Sequence, residues 1–298
     1  MSTETFGERV AYAMYAAAEK AATSLPEPAG RKLFAGIAAV QHRSAAKRQM
    51  VGRNLARVLG EPLGSPVLRA AVREAFDSYA RYWYDTFRLR VMPPEEVRKR
   101  MQLVGTENVD AALEPGRGVV IALPHMGNWD AAGNAMVLAG YRVTAVAENL
   151  RPPRLMELFR RHREELGMGI VVLDESRGVG EKLVKQLSEN VLIALVADRD
   201  LKGRGVEVEM FGATRRMPAG PALLSLGTGA PLIPAAVYDT DDDGWVTVLE
   251  PPIEVERTAR LRDDVTALTR KLAARFEHAI ASAPTQWHMW QPAWPEGS

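Results

Sequence analysis

The pattern of apolar and polar positions changes character once along the chain. From about Phe6 to Leu89, apolar residues recur at helical spacing: Val10, Met14 and Ala17, then Leu33, Ile37 and Val40, with charges between them. Pro26 and Pro28 break the first helix from the second. The stretch Gly60-Glu61-Pro62-Leu63-Gly64-Ser65-Pro66 then precedes a long helix carrying Phe76, Tyr79, Ala80, Trp83 and Phe87. From Gly118 onward short apolar runs alternate with helical stretches. Strands are predicted at Val119–Leu123, Val143–Ala147, Ile170–Leu173, Leu192–Ala197, Leu232–Val237 and Val246–Leu249. Helices are predicted at Trp129–Ala139, Arg154–Leu166, Gly180–Ser188 and Ala219–Leu226, with a closing helix over Thr258–Ser282. Such alternation predicts an α/β fold: a largely parallel central sheet flanked by helices, preceded by an N-terminal helical region. Asp241-Asp242-Asp243-Gly244 reads as a hairpin turn, because turn chemistry alone explains its composition.

The stretch from Val119 to Asp130 concentrates the candidate chemistry. A buried strand stops at Pro124 and delivers His125 where the chain turns. Asn128 then reads as the N-cap of the next helix. His125 and Asp130 are too far apart in sequence to face each other within one helix, but a strand–turn–helix junction can fold the carboxylate back towards the imidazole. The exit of a buried strand is also where ligands bind in α/β sheets. Glu148 and Asp198 end predicted strands in the same way.

Composition narrows the options. At 298 residues the chain is long enough for one large domain or two small ones. It has no cysteine, which excludes disulfides, thiol catalysis and cysteine-ligated metal, and accords with a reducing compartment. No apolar run approaches the roughly 18–20 residues of a spanning helix, and the start lacks the layout of a signal peptide. The net charge of +1 hides an asymmetry. No acidic residue lies between Glu27 and Glu61, while Arg31, Lys32, Arg43, Lys47, Arg48, Arg53 and Arg57 do. This stretch suits an anionic partner such as lipid headgroups, nucleic acid or phosphorylated ligands. Leu33, Phe34, Ile37 and Val40 fit either a face packed on the domain or an amphipathic helix in a membrane interface.

Missing signatures remove competing chemistries. There is no Gly-x-Ser-x-Gly, no Walker A loop, no Gly-x-Gly-x-x-Gly and no His-Glu-x-x-His. The five histidines (His42, His125, His162, His278, His288) include no pair at metal-ligand spacing, so neither a metal nor a cofactor is expected. A direct transfer that needs only a general base is the economical mechanism.

The motif His125-Met126-Gly127-Asn128-Trp129-Asp130 resembles the His-x4-Asp motif of the glycerolipid acyltransferases, in the spelling of the late acyltransferases of lipid A biosynthesis. Further blocks agree in order: Val146-Ala147-Glu148-Asn149-Leu150, Arg163-Glu164-Glu165-Leu166-Gly167, Val196-Ala197-Asp198-Arg199-Asp200, and Arg216-Met217-Pro218-Ala219-Gly220-Pro221. With Trp287-His288-Met289 and Gln291-Pro292 added, the chain is similar to the actinobacterial branch that acylates phosphatidylinositol mannosides, over about Arg53 to Trp294.

The resemblance implies transfer of a long acyl chain, commonly palmitoyl, from acyl-coenzyme A to a mannose hydroxyl of a phosphatidylinositol mannoside. It implies a peripheral enzyme on the cytoplasmic face of the plasma membrane, with an anionic membrane surface as partner and not nucleic acid. It also implies one acyltransferase domain across residues 1–298, with a helical membrane-association region at 1–60 and an α/β catalytic core at 115–255. His125 carries over as base and Asp130 as its partner, with Glu148 and Arg163 framing the site and a carboxylate at Asp198. Either Asp130 or Asp198 would fix the tautomer of His125. Asn128, through N–H groups at the helix start, would meet the oxyanion. Arg163 and Arg199 stand as contacts for anionic parts of the substrates, although Arg199 has Asp200 beside it to pair with. Arg216 would either bind an anion at a helix start or anchor a loop. The alternatives are the same chemistry on another membrane glycolipid such as lipid A, an acyl-coenzyme A thioesterase, or a non-catalytic basic binding protein.

Overall fold

The computed structural model describes residues 4–173, 178–200 and 203–295. Helix α1 (Phe6–Ser24) opens with a reciprocal capping box, in which Thr5 accepts from Glu8 N–H and the Glu8 carboxylate accepts from Thr5 N–H. Helix α2 (Glu27–His42) follows the proline break, and α3 (Ala45–Leu59) ends at Gly60, whose φ of 66° is the left-handed conformation that closes many helices. Helix α4 (Pro66–Arg88) starts with Ser65 accepting from Leu68 N–H at 3.0 Å and Pro66 at the first helical position. Then come α5 (Pro94–Arg100), β1 (Met101–Val104) and α6 (Thr106–Leu113).

The alternating part runs β2 (Val119–Leu123), α7 (Trp129–Leu138), β3 (Val143–Glu148), α8 (Pro153–Glu165), β4 (Gly169–Leu173), α9 (Gly178–Ser188) and β5 (Leu192–Val196). After it come a hairpin of β6 (Val206–Met210) and β7 (Ala213–Met217), then α10 (Gly220–Thr228), β8 (Leu232–Asp239), β9 (Trp245–Leu249) and α11 (Leu261–Ser282). The main sheet has the order β1-β9-β8-β2-β5-β3-β4. Strands β8, β2, β5, β3 and β4 are mutually parallel; β9 is antiparallel to β8 and carries β1 along with it. The predicted α/β class and all six predicted strands are present, within a residue or two at their ends. Helices α5 and α6, strand β1 and the β6–β7 hairpin were not predicted as such: α5 and α6 are short, β1 is a short edge strand, and β6, which alternates apolar residues with glutamate, pairs with β7 in a separate two-stranded ribbon. The Asp241–Gly244 turn joins β8 to β9 as expected, with Thr240 N–H donating to Gly244 O at 3.0 Å.

The sheet is apolar on both faces, as parallel strands covered by helices must be. Val119, Ile121 and Leu123 of β2 pack with Ala131, Ala132, Ala135 and Met136 of α7, while Val120 and Ala122 belong to the core beneath α11 with Leu272, Phe276 and Ile280. A third core joins α1 to α4 with Leu155, Leu158 and Phe159 of α8. It holds the N-terminal helices over one end of the sheet. The choice left open for α2 divides by residue. Phe34 is buried in this core, whereas Leu33, Ile37 and Val40 are exposed, as are Phe6 and Met14 of α1. No helix among the described residues is long and apolar enough to cross a membrane.

Part of the basic stretch is used internally. Arg31 pairs with Glu27 at 2.9 Å, with Asp243 at 3.2 Å and more distantly with Asp85 at 3.7 Å. Arg100 from α5 reaches Glu27 at 3.0 Å, and Arg81 meets Asp85 at 3.3 Å and the β8–β9 turn carbonyls. These contacts tie α2 and α4 to the sheet's edge. Asp85 is 1% exposed, and burial pushes its carboxyl up to about 7 against the opposing pull of Arg31 and Arg81. An acid raised in the folded state contributes stability that is present below its unfolded pKa of 3.8 and lost as pH rises through the folded value. Relative to Asp85→Asn, the native chain should therefore lose up to a few kcal/mol of stability between about pH 4 and pH 8. Urea unfolding of both proteins across that range measures this, and a gap that does not vary with pH would contradict it.

Candidate active site

Strand β2 delivers His125 through Pro124 into a tight loop. Gly127 in that loop has φ of 55°, and a Cβ there would lie 2.2 Å from the carbonyl oxygen of Val237, so only glycine fits. Asn128 closes the loop as the N-cap of α7, its Oδ1 accepting from Ala131 N–H at 2.9 Å. The chain's C-terminal segment locks the same loop from outside. Gly127 N–H donates to Gln286 O at 3.1 Å, His288 N–H donates to His125 O at 2.7 Å, and Met126 pairs with Trp287 as an antiparallel bridge. His288 donates from its ring to Gly127 O at 3.2 Å, and burial pushes its pKa down to about 3, so it stays neutral in this packing role.

The partner of His125 is Asp198. Strands β2 and β5 are parallel neighbours with Leu123 opposite Val196. Two residues further along each chain, His125 and Asp198 come opposite each other. The imidazole Nδ1 meets Asp198 Oδ1 in a short hydrogen bond, and Oδ2 accepts from His125 N–H at 3.1 Å and from the Trp287 indole N–H at 2.7 Å. The Arg215 guanidinium, reaching in from β7, donates to the Asp198 carbonyl oxygen. Burial works to raise the Asp198 pKa, yet the charge and hydrogen bond of His125, the Trp287 N–H and the charge of Arg215 overcome it and hold the carboxyl well below its ordinary range. An ionised Asp198 requires the proton on Nδ1, which leaves Nε2 as the nitrogen free to act as base.

Asp130, the other expected partner, is committed elsewhere. Its carboxylate takes Arg163 Nε at 2.6 Å and Nη2 at 3.4 Å, and the Tyr82 hydroxyl donates to it at 3.3 Å. Burial raises its pKa, and the Arg163 charge and hydrogen bond outweigh that to keep it ionised. The first turn of α7 aims this side chain at α8 and α4 instead of back at the loop. Asp130 thus braces three helices around the site, and the imidazole's carboxylate comes from a neighbouring strand.

Above the two buried aspartates lies a cleft of about 350 Å³ that His125 and Arg163 border. His125, Glu148, Arg163, Arg199 and an aromatic wall of Tyr79, Tyr82, Trp83, Trp129 and Trp290 line it. Arg199 pairs with Glu148 at 3.0 Å across the ends of β5 and β3. A narrow apolar slot leads on from the cleft at Trp129, Val146, Arg163 and Val196, and runs between α7 and the sheet past Gly133, Met136, Ala194 and Val237. A second apolar hollow, between α1, α2 and α4, shares Tyr15, Tyr79, Trp83 and Trp290 with the cleft. Two of the expected substrate-binding residues lie outside. Asn128 has no exposed surface and spends its side-chain oxygen on the cap, so it is not part of the cleft lining. Arg216 sits on the β6–β7 ribbon and pairs with Glu207 at 2.7 Å across the two strands, because the stretch before Met217 is a strand and not a helix start. No group of histidine, aspartate and glutamate able to hold a metal occurs among the described residues.

Sequence reasoning missed Tyr82, Arg215 and a polar role for Trp287, which reads as a packing residue. The tail's repeated tryptophans were the one available signal, and nothing marks Arg215 apart from its neighbour Arg216. The Asp130–Arg163 pair carries a test of its own. Replacing Asp130 by alanine leaves the almost buried Arg163 charge without its partner, and should cost about 3–5 kcal/mol of folding stability. Urea denaturation measures this, and a loss below about 1 kcal/mol would show that the pair is not a brace.

Comparison with known proteins agrees with the geometry. Residues 7–296 match the family described as bacterial lipid A biosynthesis acyltransferase. The chain is 39% identical over 281 residues to a phosphatidylinositol mannoside acyltransferase of Mycolicibacterium smegmatis, covering 94% of this chain and 90% of that one. It is 40% identical over 286 residues to a protein of the same name from Mycobacterium tuberculosis, covering 94% and 87%. A chain matched across nearly its whole length to these proteins is an acyltransferase and belongs to the bacterial lipid A biosynthesis acyltransferase family.

Proposed function

We propose that this acyltransferase moves a long-chain acyl group, palmitoyl in the first instance, from acyl-coenzyme A to a mannose hydroxyl of a phosphatidylinositol mannoside at the cytoplasmic face of the membrane. The observation that carries the reading is the His125–Asp198 pair at the head of a cleft that continues into an apolar slot. A hydroxyl acceptor needs a base, and a long acyl chain needs an apolar channel. His125 lines the cleft, and the slot shares Trp129, Val146, Arg163 and Val196 with it. The 40% identity to phosphatidylinositol mannoside acyltransferases supports the choice of acceptor.

A thioester is already activated, so the reaction asks the protein for a base, a place for the oxyanion and alignment. The sugar hydroxyl attacks the carbonyl carbon while Nε2 of His125 takes its proton. The tetrahedral intermediate collapses, the carbon–sulfur bond breaks, and the same nitrogen returns the proton to the leaving thiolate, giving the ester and free coenzyme A. Asp198 holds the tautomer and offsets the charge on the imidazolium. The first turn of α7, which begins four residues beyond the base, offers backbone N–H groups to the oxyanion. The aromatic wall suits a sugar ring, and Arg199 in the cleft suits the phosphates of either substrate.

On the membrane side, the exposed Leu33, Ile37 and Val40 of α2 lie close in sequence to the exposed Lys32, Arg43 and Lys47, and α1 adds the exposed Phe6 and Met14. Apolar residues interspersed with cations suit the interface of an anionic bilayer.

His125→Ala and Asp198→Ala should each lower transfer by about 10²-fold or more, with His125→Ala leaving the fold intact. Incubation with labelled palmitoyl-coenzyme A and a panel of mannosylated and unmannosylated lipids, with mass analysis of products, tests both donor and acceptor. Unchanged transfer by His125→Ala would sink the mechanism, and free fatty acid without acylated glycolipid would make the protein a thioesterase. Neutralising Lys32, Arg43 and Lys47 together should weaken sedimentation with anionic vesicles at low salt on the order of 100-fold. Equal binding by the variant would return these helices to an ordinary solvated surface.

A further inference from the structure

The indole of Trp287 sits where a hydrogen-bond donor is needed and a packing residue would suffice for shape. Asp198 is fully buried and has two oxygens to satisfy. Oδ1 is taken by His125 Nδ1, while Oδ2 faces Trp287 Nε1 at 2.7 Å and His125 N–H at 3.1 Å. An aspartate is short, and its carboxyl group can rotate about its own bond to the β-carbon. Unless Oδ2 is held, the plane of the carboxylate is free to turn away from the imidazole. The two donors on Oδ2 are what fix it, and one of them is carried 89 residues further along the chain, on the C-terminal segment. That segment is itself set by its pairing with the catalytic loop, through Gly127 to Gln286, Met126 to Trp287 and His288 to His125.

The neighbouring tryptophan provides a contrast within the same molecule. Trp294 packs edge-on against Trp287 with ring centres 6.0 Å apart, and the Arg215 guanidinium lies 5.8 Å from one ring and 5.3 Å from the other. Both indoles are buried, at 3% and 8% exposure, yet the Trp294 N–H has no hydrogen-bond partner among the described residues. Packing alone is therefore served by an indole whose nitrogen does nothing. The Trp287 nitrogen is on the carboxylate.

We propose that Trp287 is a positioning residue for the acyl transfer: its indole N–H fixes the plane of the Asp198 carboxylate, and so holds the His125 proton on Nδ1 with Nε2 ready to accept one from the substrate. This rests on the reading of His125 and Asp198 as base and orienting acid given above. It adds that the tail of the chain is part of the catalytic apparatus, acting through Asp198 without touching substrate.

The test is Trp287→Phe, which keeps an aromatic ring and removes the donor, assayed with palmitoyl-coenzyme A and a phosphatidylinositol mannoside acceptor. The expected result is a fall in kcat of about 10- to 100-fold with KM within about threefold. Nitrogen chemical shifts of His125 in labelled protein should move from a single Nδ1-protonated form towards a mixture of tautomers. Trp294→Phe should leave kcat and the His125 shifts unchanged. If Trp287→Phe fails to fold, benzothienylalanine at position 287, with sulfur replacing only the N–H, asks the same question in an isosteric ring. A native kcat in the folded variant, or a reduced kcat with undisturbed His125 shifts, overturns the proposal. Transfer retained in His125→Ala and Asp198→Ala would instead overturn the reading beneath it, so the two failures are separable.

Discussion

A carboxylate with no exposed surface governs the architecture of this protein. Removing an anion from water costs several kcal/mol even after the surroundings relax, and the cost is recovered only where charge and hydrogen bonds are aimed at it. Asp198 receives those from three separate parts of the chain: the loop after β2, the tail after α11 and the β6–β7 ribbon. None of these would be brought together by local structure. The small antiparallel ribbon and the aromatic tail make sense as supports for an ionised aspartate at the end of β5. The His125 imidazole is oriented as a consequence, because the proton on Nδ1 follows from the charge on its neighbour.

A second buried carboxylate lies close by and serves a different end. Asp130 occupies the position that a His-x4-Asp spacing would hand to the imidazole, but Arg163 and Tyr82 claim it. An arginine with matched geometry is the stronger partner for a buried carboxylate, and α8 presents one at the right height. The pair fastens α7, which carries the loop's N-cap, to the helices that form the far wall of the cleft. One aspartate thus orients the imidazole of His125 while the other keeps the cavity's walls in register.

The N-terminal helices combine two demands that the sequence expresses in alternation. Phe34 and Ala38 join the core against α4, while Leu33, Ile37 and Val40 are left exposed. The basic stretch divides in a similar way, since Arg31 is spent on Glu27, Asp85 and Asp243, and Lys32, Arg43 and Lys47 are exposed. A layer that must both roof the cleft and meet a different environment outside carries both kinds of residue on one helix.

Much of this was legible in the order of residues. Apolar runs of strand length ending in His125, Glu148 and Asp198 marked the site's neighbourhood, since burial on both faces of a parallel sheet demands such runs and only their ends can bear polar groups. Breaks at proline and glycine delimited the helices, and the stretch without acidic residues between Glu27 and Glu61 set the N-terminal region apart. The short ribbon escaped because β7 carries two adjacent arginines and no alternation, and the pair takes its stability from its own ladder and from α11 packed on β6. What the sequence could not decide was which carboxylate serves the histidine. The separation of five residues to Asp130 is a local fact, whereas the pairing with Asp198 depends on β5 lying beside β2 with Leu123 opposite Val196. Strand order is set by how a whole sheet buries its two faces, and no local spacing encodes it; the same holds for the tail, whose Trp287 becomes a donor to Asp198 only once the chain has closed on itself.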